Sequence, residues 1–148
     1  MTEAVGVKAA GVHSMTLRVY YEDTDAGGLV YYANYLKFAE RARTEWLRGL
    51  GFENRGLAEN AGASWVVRRC EIDYLRPARL DDEVEVRTRV VALGGASADL
   101  EQTVLRGAVD LARLMLRLAF VTPAGKPRRL PAALRTAMQN VIQPLSGA

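Results

Sequence analysis

Between Met15 and Tyr21, Leu17, Val19 and Tyr21 alternate with Thr16, Arg18 and Tyr20, the period of two that marks a strand with one buried face. The alternation stops at Glu22-Asp23-Thr24-Asp25-Ala26-Gly27-Gly28, whose acidic residues and paired glycines predict a loop where backbone comes close to another group. From Asn34 to Leu50 the period turns helical. Tyr35, Phe38, Ala39, Ala42, Trp46 and Leu50 share one side, with Lys37, Arg41, Thr44 and Arg48 opposite. At ~1.5 Å per residue this helix is roughly 25 Å long, and Gly49 and Gly51 mark its end.

A polar connection from Gly51 to Gly62, with room for a short helical turn, leads back to alternation. Val66, Arg68, Cys70, Ile72 and Tyr74 form one row, Val67, Arg69, Glu71, Asp73 and Leu75 the other, and Pro77 ends the strand. Glu83 to Val90 predicts a strand with Val84, Val86, Thr88 and Val90 inward. Gly94-Gly95 turns it into a hairpin with Ala98, Leu100, Gln102 and Val104. Ala108 to Val121 has helical composition but strict alternation of Leu114, Leu116, Leu118 and Phe120, and is assigned as a strand. Pro123 to Pro127 reads as a turn and Pro131 to Val141 as a short helix. One strand, one long helix and about four successive strands describe an α+β domain with an antiparallel sheet. One long helix cannot cover both faces of that sheet, so pairing of subunits is expected.

With 148 residues, 49% of them apolar and 25% charged, the chain suits a single domain and is incompatible with disorder or a bilayer span. The expected organisation is a flexible tail over 1–14, a domain over 15–141 and a C-terminal tail over 142–148. Residues 1–14 contain Glu3 and Lys8 and lack the features of a secretory signal, which points to the cytoplasm. The net charge of +3 comes from arginines interleaved with Asp and Glu, as at Glu83, Glu85, Arg87 and Arg89, a solvated face and not a nucleic-acid surface. One cysteine, Cys70, and one histidine, His13, exclude an internal disulfide and leave Cys/His zinc sites and His-assisted nucleophiles short of parts. No metal or separate cofactor is expected, and chemistry should run on carboxylates.

The candidate chemistry is Asp25, followed seven residues later by Tyr32 near the helix start. The first turn of a helix presents unpaired, partly positive N–H groups that polarise a carbonyl oxygen, while an ionised carboxylate suits a nucleophile or a base that activates water. Acyl transfer is the reaction class this pair would serve. Gly27 and Gly28 would let a substrate approach the amides. The plain alternative is that Asp23 or Asp25 caps the helix and the glycines make the turn. A calcium loop is excluded by Gly27 and Asn34 at ligand positions. Elsewhere, Glu40 and Arg43 on the helix are expected to form a structural ion pair, Cys70 to pack and His13 to be solvated. Tyr20 and Tyr21 are expected as strand residues, Arg76, Arg128 and Arg129 in solvent, and Ser64 and Ser97 without an activating base.

The block Val19-Tyr-Tyr-Glu-Asp-Thr-Asp-Ala-Gly-Gly-Leu-Val-Tyr-Tyr-Ala-Asn-Tyr35, with Phe38–Leu47, Val66–Arg68 and Ile72–Asp82, closely resembles the acyl-CoA thioesterases associated with the bacterial Tol-Pal system. These belong to the 4-hydroxybenzoyl-CoA thioesterase-like group, and the likeness spans Met15 to Leu130. The resemblance implies a hotdog fold, an antiparallel sheet wrapped around one long central helix, in homodimers or homotetramers with the acyl site at the subunit interface. It implies Asp25 as the catalytic carboxylate, as nucleophile or general base, and the Tyr32 backbone amide as the donor to the thioester carbonyl, with Gly28 giving access. The expected substrate is an acyl-CoA, whose CoA is part of the substrate; acyl carrier protein is a further candidate partner. In one respect the chain departs from the family: Tyr32 stands where the motif usually has His. The expected activity is therefore hydrolysis of an acyl-CoA, with a non-catalytic acyl-CoA or acyl-carrier-protein binding module as the alternative and a protein-binding scaffold as a third reading.

Overall fold

The structure, a computed structural model, describes residues 5–7 and 11–142. Six strands, β1 (Val5–Val7), β2 (His13–Arg18), β3 (Ser64–Tyr74), β4 (Glu83–Leu93), β5 (Ser97–Arg106) and β6 (Val109–Val121), form one antiparallel sheet in the order β1-β2-β4-β5-β6-β3. The helices are α1 (Asn34–Gly49), α2 (Asn54–Ala61) and α3 (Ala132–Gln139). The α+β architecture is as expected, and the ambiguous segment after Gly107 is a strand.

Strands β4, β5 and β6 form as their alternation demands. Val84, Val86, Thr88 and Val90, then Ala98, Leu100, Gln102 and Val104, then Leu114, Leu116, Leu118 and Phe120 are all buried on one face. Against this face α1 lays Tyr35, Phe38, Ala39, Ala42, Trp46 and Leu47, packing on β2, β4 and β5. Each fully buried Leu in such a core contributes about 1.5–3 kcal/mol.

Strand β3 differs from its expected pattern. A bulge between Val67 and Arg69 inserts Arg68 as an extra residue. The inward row is therefore Trp65 and Val67 before the bulge and Cys70, Ile72 and Tyr74 after it, each paired with a buried β6 residue. Val66 and Arg68 do not belong to that row. This is an edge strand, and Val67 and Tyr74 remain 48% and 46% exposed although they lie on the inner face.

The first fourteen residues, expected as a tail, contain β1 and the start of β2. Residues 1–4, 8–10 and 143–148 lie outside the described residues. His13, expected in solvent, pairs with Thr88 and is buried against Gly49, with neither ring nitrogen hydrogen-bonded among the described residues. Burial lowers its pKa from the ordinary value, with Glu45 opposing that shift. Tyr20 and Tyr21 are not strand residues: β2 ends at Arg18, and Tyr21–Asp23 is a 3-10 turn with both tyrosines exposed.

Candidate active site

The loop between β2 and α1 is held from two sides. Within it, Thr24 bridges Val30, and the Asp25 N–H donates to Leu29 O (2.8 Å). Outside it, the segment between β3 and β4 supplies Ala78 O for Val30 N–H (2.9 Å), and Leu80 N–H for Gly28 O (3.0 Å). That segment is itself fixed by Arg106, which donates to Asp82 Oδ2 (2.8 Å) and Pro77 O (3.2 Å), and by Tyr35 Oη, which accepts from Ala78 N–H (2.9 Å). Residues from α1, β5 and the β3–β4 connection thus position a loop that has no core of its own.

Neither aspartate caps α1. The residue at the helix entrance is Ala33, without a side-chain hydrogen bond to the first turn. Asp23 instead accepts from its neighbour Tyr20 N–H (2.9 Å). Asp25 Oδ1 accepts from Gly27 N–H (2.8 Å) and Leu29 N–H (3.2 Å), which fixes the carboxylate and leaves Oδ2 unpaired among the described residues. The capping alternative therefore fails for both residues.

The glycines divide their work. A Cβ at Gly27 would stand 3.3 Å from Asp25 Oδ1, so this glycine admits the carboxylate to its own amide. Gly28 has φ +78°, the left-handed conformation that closes the turn, with open space where a Cβ would be. Gly28 is not among the residues lining the neighbouring cleft.

That cleft, of about 450 Å³, is lined by Asp25, Tyr32, Tyr35, Tyr74 and Arg76 among others. Tyr32 sits two residues ahead of α1, and the N–H groups of Tyr32 and Ala33 have no acceptor among the described residues, whereas the flanking Tyr31 N–H and Asn34 N–H are bonded to Asp23 O and Tyr31 O; of the two, Tyr32 lines the cleft. Its carbonyl accepts from Tyr74 Oη (3.0 Å), and its ring, 62% exposed, packs edge-on against Tyr74. Tyr35 meets Tyr74 in the same manner, giving the cleft an aromatic wall. Arg76 is exposed at this cleft with its guanidinium unpaired among the described residues.

The structure thus brings Asp25 and the Tyr32 amide to one cleft. Tyr74, which orients the Tyr32 peptide, was visible in the sequence only as a strand residue, because its contact spans forty-two positions. Arg43, expected to pair with Glu40, forms no ion pair among the described residues. It donates to Gln102 Oε1 (3.0 Å), since its side chain turns toward the sheet while Glu40 remains exposed.

Comparison with known proteins identifies the family. The pattern of the Thioesterase superfamily matches residues 27–112, more than half of the chain. The acyl-CoA thioesterase YbgC of Haemophilus influenzae is 43% identical over 125 residues, covering 81% of this chain and 92% of that protein. The acyl-CoA thioester hydrolase YbgC of Escherichia coli O6:H1 is 42% identical over 120 residues, covering 80% and 89%. Among solved structures, a thioesterase of Thermus thermophilus complexed with coenzyme A and Zn superposes with a TM-score of 0.72 at 33% identity, covering 88% of this chain and 96% of that one. By sequence pattern, relatives and fold together, this chain belongs to the thioesterase superfamily.

Proposed function

We propose that the protein hydrolyses acyl-CoA thioesters to the free acid and CoA, with Asp25 as the catalytic carboxylate and the Tyr32 N–H as the donor to the carbonyl oxygen. The observation that carries this reading is the pairing, in one cleft, of a carboxylate oriented by two backbone amides with a backbone N–H that has no partner among the described residues. As the carbonyl carbon becomes tetrahedral, charge develops on its oxygen, and a fixed donor there stabilises the transition state more than the ground state. Asp25 either takes a proton from the water that attacks this carbon or attacks it directly. In the first course the C–O bond forms to give the tetrahedral species, whose collapse breaks the C–S bond, and the proton passes to the departing CoA sulfur. In the second the carboxylate oxygen displaces CoA as its thiolate to give a mixed anhydride, and water opens this to the free acid and the Asp25 carboxylate, the proton released passing to the thiolate.

Family membership and the acyl-CoA relatives support the substrate class. In this reading α1 is the central helix of a hotdog fold, and the exposed edge of β3, with Val67 and Tyr74 uncovered, is where a second copy completes the cleft. Arg76 at the cleft is placed for CoA phosphates. The likeness of the Val19–Tyr35 block to the Tol-Pal-associated subgroup is the basis for assigning the protein there.

The test is thiol release from a panel of acyl-CoAs. Turnover by the wild-type protein, lost in Asp25→Asn while the fold persists, supports the proposal; equal turnover by the variant refutes it. Label found in Asp25 after a single turnover in ¹⁸O-labelled water identifies direct attack, since oxygen enters the side chain only when water opens the anhydride at the aspartyl carbon. One observation favours a second reading, a binding module: Tyr32 occupies the usual histidine position, and the sole histidine, His13, is buried in β2. Ligand-induced stabilisation without thiol release would establish it.

A further inference from the structure

A second cleft, of about 430 Å³, opens farther along α1, between its Glu40–Leu47 stretch and the Ser64–Val67 end of β3. It shares the flank of α1 and β3 with the Asp25 cleft, which lies at the Tyr74 end, and the half-buried inner-face residues Cys70 and Ile72 lie between. Its lining mixes apolar side chains with the polar Glu40, Thr44, Asn54 and Ser64, and it includes Trp46, Trp65 and Arg43, whose N–H groups have capacity left over. The indole N–H groups of Trp46 and Trp65 are buried with no acceptor among the described residues. The guanidinium of Arg43 makes one hydrogen bond, to Gln102, and no ion pair among the described residues. Gln102 is wholly buried and cannot turn, because its amide donates to Ala39 O (2.9 Å) and Thr88 Oγ1 (2.9 Å). Arg43 is therefore held at one N–H while the rest of its fork has no hydrogen-bond partner among the described residues and is free to donate into the cleft, where the Glu40 carboxylate is its nearest opposite charge.

Side chains on a helix lean toward its N-terminus, so the fork lies over the turn of Ala39, in keeping with their shared partner. Ala39 follows Tyr32 by seven positions, or about 10 Å of helix rise. An extended chain advances about 1.2 Å per bond, so an acyl group of about eight to ten carbons is long enough to span from Tyr32 to that turn. We propose that Arg43 is a specificity-determining residue that binds an acceptor oxygen at the far end of the acyl chain, favouring medium-length acyl thioesters with a terminal carboxylate or hydroxyl. This inference rests on the thioesterase reading of the Asp25 cleft.

The experiment compares ω-carboxynonanoyl-CoA, ω-hydroxydecanoyl-CoA and decanoyl-CoA with the wild-type protein, Arg43→Met and Arg43→Lys. The wild type is expected to show kcat/KM about tenfold to a hundredfold higher for the oxygenated substrates, the scale of one hydrogen bond to a charged group. A larger value for the carboxylate identifies an ionic partner, an equal one a neutral acceptor. Arg43→Met should abolish the preference, bringing kcat/KM for the oxygenated substrates down to that for decanoyl-CoA. Arg43→Lys, which keeps the charge and loses the fork, should retain part of it and decides the matter if the Met variant does not fold. No preference in the wild type, or a parallel loss on all three substrates, overturns the proposal. If no thioester is hydrolysed, the function proposed above fails and thermal stabilisation becomes the readout. A larger shift with ω-carboxynonanoyl-CoA than with decanoyl-CoA, levelled in Arg43→Met, still supports the subsite, and equal shifts in the wild type refute it.

Discussion

The Asp25 loop and the cluster of Arg43, Gln102 and Thr88 are both polar, and they are built in opposite ways. Asp25 is exposed and held by the amides of Gly27 and Leu29, two and four residues along the chain. Gln102 is buried in the sheet and joins α1, β4 and β5 across tens of positions. The loop's local bonds orient one carboxylate while adding little to stability, whereas the cluster locks a helix to a sheet where an unpaired polar group would be penalised. Chemistry and stability should therefore separate under mutation.

Asp25→Asn breaks this comparison most severely on the side of activity. Its amide oxygen can still accept from Gly27 and Leu29, so thermal melts should match the wild type while thiol release falls by a factor on the order of 100 to 10,000. Gln102→Leu should do the reverse, destabilising the fold by about 2–3 kcal/mol in urea titrations, because Arg43 and Thr88 lose a buried partner. Its activity per folded molecule should fall far less than that of Asp25→Asn.

His13 supplies a smaller, pH-dependent effect. Its pKa is lowered in the fold, so as pH falls through the ordinary histidine value, about 6.5, the unfolded chain binds the proton first. The stability from its neutral form is full above that value and is lost as pH falls toward and through the lowered one. Melts from about pH 5 to 8 should show this loss in the wild type and a flatter profile in His13→Phe. Tyr32→Phe sharpens the comparison from the quiet end. The hydroxyl has no partner among the described residues and the backbone N–H is untouched, so stability should stay within ~0.5 kcal/mol and turnover close to wild type.

What the sequence disclosed follows the same division between local and distant contacts. The period of α1 and the alternation of β4, β5 and β6 are local, and so is the Asp25 loop, whose carboxylate and glycine amides lie within five positions. The bulge at Arg68 was not readable, because the register shift is set by pairing with β6, and a single extra residue leaves no mark in the pattern. Nor was the burial of His13, which depends on β4 and the end of α1. The pairing of Arg43 with Glu40 expected along α1 fails for the same reason: the partner of Arg43 lies fifty-nine positions away, beyond any helical spacing rule.

The central claim is that a carboxylate and an unpartnered backbone N–H act on the same carbonyl. Side-chain substitution leaves that N–H in place, so the most direct measurement replaces the Tyr32 peptide N–H by an ester oxygen, using the α-hydroxy analogue of tyrosine at position 32. Thiol release should fall by about 100- to 1,000-fold with the melting temperature retained. Turnover at the wild-type rate would contradict the account.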